Sequence, residues 1–412
     1  MLKTLFLAIT LSSCLHTTIK GQEQLDYYID AAVANSPLLY AKKNDLRGAS
    51  LDSASVRATY LPQVGFTANV AYDPIINGLG YDEVITNKQQ GSTLVHFDML
   101  LPGNRMLKAQ NSFAALNRRS LSLDYSLTVK DLKQQVTNQY LVVYGDQQQL
   151  AFLKESYQLL QREDSILQRL ARANIYRQTD YLTFVASMRK QQLLKMQALS
   201  QLKSNLGRLR YLCGIEDTSL VSLSKPNLPL AELVNVDSTL TTRKFTADSL
   251  LIASKHSMID AYYRPTFSLH ADAGYLSSFL FEPYNNFGVG VGATFSIPIY
   301  DGHQRTLQHQ KVVLQEQSLG FEKGKVIRQQ QIQRRLLQSQ LNDLALQSKE
   351  VDEQLSFARA LVEANGRLLE SGQVDIPMFF LSIQSYMDLE GQRWSAEIAR
   401  YMLINELNNI SE

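Results

Sequence analysis

The sequence predicts a mainly helical fold with a smaller β component: long helices of coiled-coil type joined to four amphipathic strands, arranged as two internal repeats. Three observations predict it. The segment "YLPQVGFTANVAY" at residues 60 to 72 returns as "YRPTFSLHADAGY" at residues 263 to 275, with Tyr first, Pro third, Ala ninth and Tyr last in both. Four segments of roughly ten residues alternate apolar and polar side chains with a period of two. The stretches that follow them are almost free of Gly and Pro and carry apolar residues at helical spacing.

The chain opens with "MLKTLFLAITLSSC", in which the apolar run from Leu5 to Leu11 suits a secretory h-region and is too short for a bilayer span. Residues 1–21 are expected to be a signal peptide. Two cleavage readings stay open: before Gln22, or before Cys14, because "LSSC" resembles a lipobox whose Cys is acylated. Cys14 is the lipidation candidate, and Cys213, the other of the two cysteines, then has no intramolecular partner.

The first repeat is expected over 22–215. Its opening helix resumes at Ser36-Pro37, a good N-cap and N1 pair. The first strand, about 62–73, sets Val64, Phe66, Ala68, Val70 and Tyr72 on one face against Gln63, Gly65, Thr67 and Asn69 on the other. A Gly/Asn-bearing loop leads to a second strand, "STLVHFDML", about 91–101, and the turn "LPGNR". From Asn104 to Ala173 there is no Pro and a single Gly, Gly145, while Tyr125, Val129, Leu132, Val136, Tyr140, Val143, Leu150, Leu153, Tyr157 and Leu160 recur at helical spacing. After a break at "NIYRQTD" another long helix runs to "LRYLCG".

Residues 216–240, with "SLSKPNLPLAELVNVDS", read as the linker, and 241–412 as the second repeat. Its strands, about 266–276 and 287–299, place Phe267, Leu269, Ala271 and Ala273, then Val289, Val291, Ala293, Phe295 and Ile297, opposite Ser268, His270 and Asp272, then Gly288, Gly290, Gly292, Thr294 and Ser296. Beyond Leu307 the chain is helical again. Leu341, Leu344, Ser348, Val351, Leu355, Ala358, Val362, Asn365 and Leu369 keep a strict 3,4 spacing, the seam of a helix that packs along neighbours. The turn "ESGQVD" leads to the last helix, from about Ile376 to Asn409.

Strands of this length, apolar on one face and wet on the other, suit tilted crossings of a bilayer. Four cannot close into a barrel, and an open edge in lipid leaves N–H and C=O groups unpaired, so insertion requires other copies of the chain. The competing reading is a periplasmic coiled-coil adaptor or structural protein with two hairpins. Charge excludes little beyond a nucleic-acid role: 41 Lys and Arg stand against 39 Asp and Glu. No GxxxxGK[ST], GxSxG or Rossmann pattern occurs, none of the six His makes an HxxxH, and neither cofactor nor metal is asked for. His303 and His309 read as a solvated pair, "RQQQIQRRLLQSQ" at 328 to 340 as a solvated helix face, and Tyr60, Tyr72, Tyr263, Tyr275 and Trp394 as candidates for an aromatic girdle, with core packing the rival for Trp394.

"ANSP", "ATYLPQVGFTANVAY", "AYYRPTFSLHADAGY" and "FSIPIYDGHQR", with "LPGNR" and "LRYLCG" in support, resemble the TolC-like outer-membrane efflux proteins over essentially the whole mature chain. The resemblance implies a homotrimer whose strands form a 12-stranded transmembrane β-barrel, continued by a long α-helical coiled-coil barrel as a tunnel into the periplasm. It implies an outer-membrane channel of a Gram-negative bacterium, serving a tripartite efflux or type I secretion system with a periplasmic adaptor (membrane fusion protein) and an inner-membrane pump. Such a channel performs no chemistry and is no enzyme.

The resemblance also places a periplasmic gate at the turns "NIYRQTD" and "ESGQVD". Thr179 and Asp180 match the family's Thr-Asp at the first turn, while Gln373 and Asp375 lie in the second, where Asp375 takes the place of a capping Ser, Thr or Asp. The plainer role of Asp180 and Asp375 is that of N-caps. Where some members carry a Tyr, an Arg and acidic residues, this sequence has Leu369, Val374, Met378 and Leu381, which points to closure by an apolar constriction.

Overall fold

The computed structural model describes residues 24–80, 89–101, 103–173, 175–231, 239–278 and 285–411. The signal segment and Cys14 lie outside the described residues. The elements are α1 (Leu25–Asn35), α2 (Pro37–Ala58), β1 (Gln63–Tyr72), β2 (Gln89–Leu101), α3 (Asn104–Arg172), α4 (Gln178–Cys213), α5 (Leu240–Tyr262), β3 (Thr266–Ser277), β4 (Phe287–Ser296), α6 (Gln304–Glu370) and α7 (Ile376–Ser411). Two compact units share them. One holds α1, α4, nearly all of α7 and residues 132 to 172 and 337 to 370 of the two longest helices, and the other holds α2, α5, the strands and residues 104 to 131 and 304 to 336.

In the strand-bearing unit the four strands make one antiparallel sheet in the order β1-β2-β3-β4. The register decides the chemistry of its faces. Val64 pairs with Phe97 and Phe66 with Val95; Val95 pairs in turn with Ala273, and Ala273 with Val289. Because side chains alternate, that register gathers an apolar row from each of the four strands on one face, with Leu94, Leu100 and Leu276 on the other. The opposite face carries Thr67 and Asn69 of β1, His96 and Asp98 of β2, His270 and Asp272 of β3, and the glycines of β4. Among the described residues most of the apolar face is open: Val289 is 81% exposed and Val291 85%, with Tyr275 at the strand end buried. Among the described residues the outer edges of β1 and β4 have no neighbouring strand.

The strand ends depart from the sequence reading. β4 stops at Ser296 instead of running to 299, where its pairing with Thr266 is the last of the ladder. Beyond that pair come Pro265 on one side and Pro298 on the other, and neither has an N–H to donate. β2 starts earlier than expected, at Gln89, because the backbone of Gln89 and Gln90 finds partners in Tyr72 and Ala71 despite the lack of alternation there.

The other unit is a helical core. Tyr28, Val136, Tyr140, Leu206, Leu209 and Cys213 are buried together, and each large aliphatic group withdrawn from water contributes about 1.5–3 kcal/mol. The Tyr140 hydroxyl reaches the Ser224 carbonyl at 2.7 Å and the Gln147 side chain accepts from the Leu223 N–H at 2.8 Å, so the segment before α5 is packed on α3. Burial pushes the Cys213 thiol up to about 11. The seam read from α6 faces inward: Leu355, Ala358, Asn365 and Leu369 are buried, Leu341, Leu344, Ser348, Val351 and Val362 half-buried, while Leu346 and Phe357 on the other side are exposed. α4 ends in a left-handed Gly214, whose N–H and that of Ile215 return to the carbonyls of Tyr211 and Arg210.

Candidate functional site

The residues picked out as gate candidates sit where α3 turns into α4 and α6 into α7, both within the helical unit. The second turn is built by Gly372, whose φ of +75° is open to glycine at little cost. Its N–H bonds the Leu369 carbonyl at 3.1 Å and the Gln373 N–H bonds that of Leu368 at 2.9 Å, a Schellman pair that ends α6. Gln373 thus enters through its backbone, with its side chain exposed. Asp375 occupies the N-cap position of α7: its carbonyl accepts from the N–H groups of Met378 and Phe379, both at 3.1 Å.

The first turn differs from the expectation. Arg177, without a side-chain capping bond, precedes α4, and Asp180 lies inside the first helical turn, where its charge meets the positive end of the helix dipole. Thr179 is exposed; its hydroxyl stands 3.5 Å from the Asp180 carboxylate and its carbonyl accepts from the Thr183 hydroxyl at 3.0 Å. Asp180 is therefore not the N-cap.

Tyr176 joins the two turns. Its hydroxyl lies 2.9 Å from the Leu369 carbonyl and 2.8 Å from that of Val374. A phenol has one proton, so the bond is shared or alternates between the two acceptors. Burial, and then the charge of Asp375, raise the phenol's pKa, which keeps that proton in place at neutral pH. Close by, the Tyr181 hydroxyl donates to Asp164 at 3.1 Å. Sequence reasoning passed over Tyr176; the available signal was the one aromatic of the turn "NIYRQTD".

Beneath the turns Leu160, Leu167, Phe184, Leu369, Ile376, Phe379 and Ile383 form one apolar cluster. Leu369 is 1% exposed and Val374 packs on the same cluster, so neither offers an open surface in the single chain. Met378 and Leu381, 58% and 61% exposed, are the apolar residues of the second turn that remain open. The cavity between α4 and α7 here holds about 190 Å³ and is lined by Phe184, Ile376, Pro377 and Phe380, smaller than typical ligand sites of ~300–1,000 Å³.

Other side chains singled out from the sequence fall elsewhere. His303 is exposed beside the Tyr300 ring, as a solvated residue should be, whereas His309 is half-buried and pairs with His256 across α5 and α6, Nδ1 to Nδ1 at 2.6 Å. Tyr60 is buried with its hydroxyl on Gln110 at 2.6 Å, and Tyr275 is buried too, leaving Tyr72 the exposed strand-end tyrosine among the four. Trp394 packs on α7 beside Arg393 and lines a groove with Phe152 and Ile398, in the unit without strands. Among the described residues no group of three or more His, Cys, Asp or Glu is arranged to hold a metal ion, and no helix is long and apolar enough to cross a membrane.

The architecture has solved counterparts across nearly its full length. The outer membrane protein VceC from Vibrio cholerae superposes with a TM-score of 0.76 at 12% identity, over 94% of this chain and 96% of that one. A membrane protein from Pseudomonas aeruginosa gives 0.78 at 14%, over 94% and 92%, and the CmeC outer membrane channel of Campylobacter jejuni 0.75 at 11%, over 94% and 85%. The chain has the TolC-like fold. No protein-family model matches the sequence and no curated protein is similar to it in sequence, so at these identities the likeness is one of fold. Within the TolC-like fold this chain clamps its two helix turns with Tyr176 and presents Met378 and Leu381 beside them.

Proposed function

We propose that the chain is the outer-membrane channel of a tripartite efflux or type I secretion system in a Gram-negative bacterium. The observation that carries this reading is the sheet: an apolar face spanning four strands and left bare, with two open edges. Lipid covers such a face without cost, and only further strands satisfy such edges. Three chains close twelve strands into a barrel. The long helices of the three chains line a tunnel into the periplasm, the exported 1–21 segment delivers the chain there, and Cys14 is acylated if it is retained. OprN and MtrE are described as outer-membrane channels, CusC by its transmembrane channel formation and VceC as an outer membrane protein, and the shared fold supports the same role here.

The protein supplies a conduit and no catalysis, while an inner-membrane pump, reached through a periplasmic adaptor, supplies the energy. The gate lies at the two turns. Thr179, Asp180, Gln373 and Asp375 form the rim, Met378 and Leu381 form the apolar constriction, and Leu369 supports it from within the cluster. A periplasmic adaptor needs no bare four-stranded face, so that alternative leaves the main observation without a role. Planar-bilayer recording tests the proposal: stepwise conductance from purified protein, with cross-linking to a trimer, is expected, whereas inserted protein that never conducts refutes it.

A further inference from the structure

β2 and β3 lie side by side and end at the Leu101–Phe267 pair, both on the apolar face. Immediately past that pair the chain enters α3 on one side and leaves α5 on the other. The first turns of α3 and the last turns of α5 therefore flank a groove of about 410 Å³ next to the rim of the apolar band. Three cations line it: Arg105 and Lys108 from α3 and Arg264 from the α5–β3 junction. None of them makes an ion pair among the described residues. Ser112 and Ser257 add hydroxyls, while the Ser254 hydroxyl donates to the Leu251 carbonyl at 2.6 Å.

The one carboxylate in the lining, Asp260, is already held by Arg305 at 2.7 Å and His309 at 3.1 Å, which keep its pKa low and offset its charge. The groove is left positive and rich in donors. Guanidinium groups match phosphate oxygens in forked geometry, and hydroxyls complete the shell. Tyr262, at the end of α5 and 68% exposed, has the amphipathic character of side chains found at membrane–water boundaries.

We propose that this groove binds the phosphodiester headgroup of a phospholipid whose acyl chains lie on the neighbouring apolar face. The inference rests on the membrane reading given above for that face. A free phosphate shares the charge chemistry but has nothing to place against Leu101 and Phe267.

The test uses the full chain in non-ionic detergent, titrated calorimetrically with dioctanoyl phosphatidylglycerol and separately with inorganic phosphate. Wild type is expected to bind the lipid saturably and the R105Q/K108Q/R264Q variant more than about tenfold more weakly, the loss of at least one charged hydrogen bond. The K323Q/K325Q/R328Q variant, with as many charges removed from α6, is expected to bind as wild type, and circular dichroism reports whether each variant is folded. An equal loss in that second variant, or inorganic phosphate binding as tightly as the lipid, overturns the proposal. Conductance of the same preparations separates the two readings: pores without lipid binding sink this inference alone, whereas lipid binding without pores upholds the groove and counts against the channel.

Discussion

Val291 on β4 and Leu355 on α6 are both aliphatic residues on the apolar side of an amphipathic element, yet the first is 85% exposed and the second 6%. The difference runs through whole surfaces. The α6 seam finds its cover inside the chain, from Leu341 to Leu369, whereas the sheet gathers apolar rows from four strands and leaves most of them open. At roughly 25 cal/mol per Å² such a face is costly in water and costs nothing against hydrocarbon. The helical surface is thus covered within the chain, and the sheet surface, on the proposed reading, is covered by lipid and completed by further copies.

Substitutions should separate the two surfaces, and the largest effect is expected in the helical one. Leu369→Ala removes a side chain fully enclosed by the Leu160–Phe379 cluster and should lower unfolding stability by about 2–5 kcal/mol in detergent and in bilayers alike, read from denaturant midpoints. Val291→Lys should depend on the medium. Refolding into liposomes should lose about 2–4 kcal/mol, while the chain in aqueous denaturant alone should shift by less than about 0.5 kcal/mol. Equal costs in the two media would erase the contrast.

Smaller effects sharpen it. Tyr176→Phe deletes the bond between the turns and should cost about 1–3 kcal/mol, showing first as faster amide exchange at Leu369–Asp375 and as longer open times in single-channel records. The smallest concerns acid. Arg305 beside Asp260, with His309, depresses that carboxyl, so its contribution is fully present above the unfolded value of about 3.9 and fades as pH falls through the lower folded value. Wild type should therefore lose α5–α6 stability below about pH 4, and Asp260→Asn should flatten that limb of the thermal-unfolding profile.

The sequence carried the local periods well. Alternation told which face of each strand is apolar, and the 3,4 spacing told which α6 side chains turn inward, because both follow from backbone geometry alone. Pairing was less legible. Tyr176 finds its acceptors 193 and 198 residues away, and His309, read as solvated, meets His256 53 residues away, choices made by the packing of helices remote in sequence. The end of β4 was misjudged because Ile297 and Ile299 keep the alternation while Pro298 and Pro265 remove the donors a ladder needs. Asp180 was misplaced because a Thr-Asp pair reads as a cap, whereas the helix begins at Gln178.

The most direct measurement labels single cysteines on one strand of the assembled protein in liposomes with a membrane-impermeant maleimide. Wild type serves as the blank, since the buried Cys213, with its thiol at about 11, stays unreactive at neutral pH. Thr294→Cys, on the polar face of β4, should react from the aqueous phase, while Val291→Cys should stay unlabelled and be reached only by a lipid-borne quencher acting on a probe attached there before assembly. Equal aqueous labelling at both positions would contradict the account.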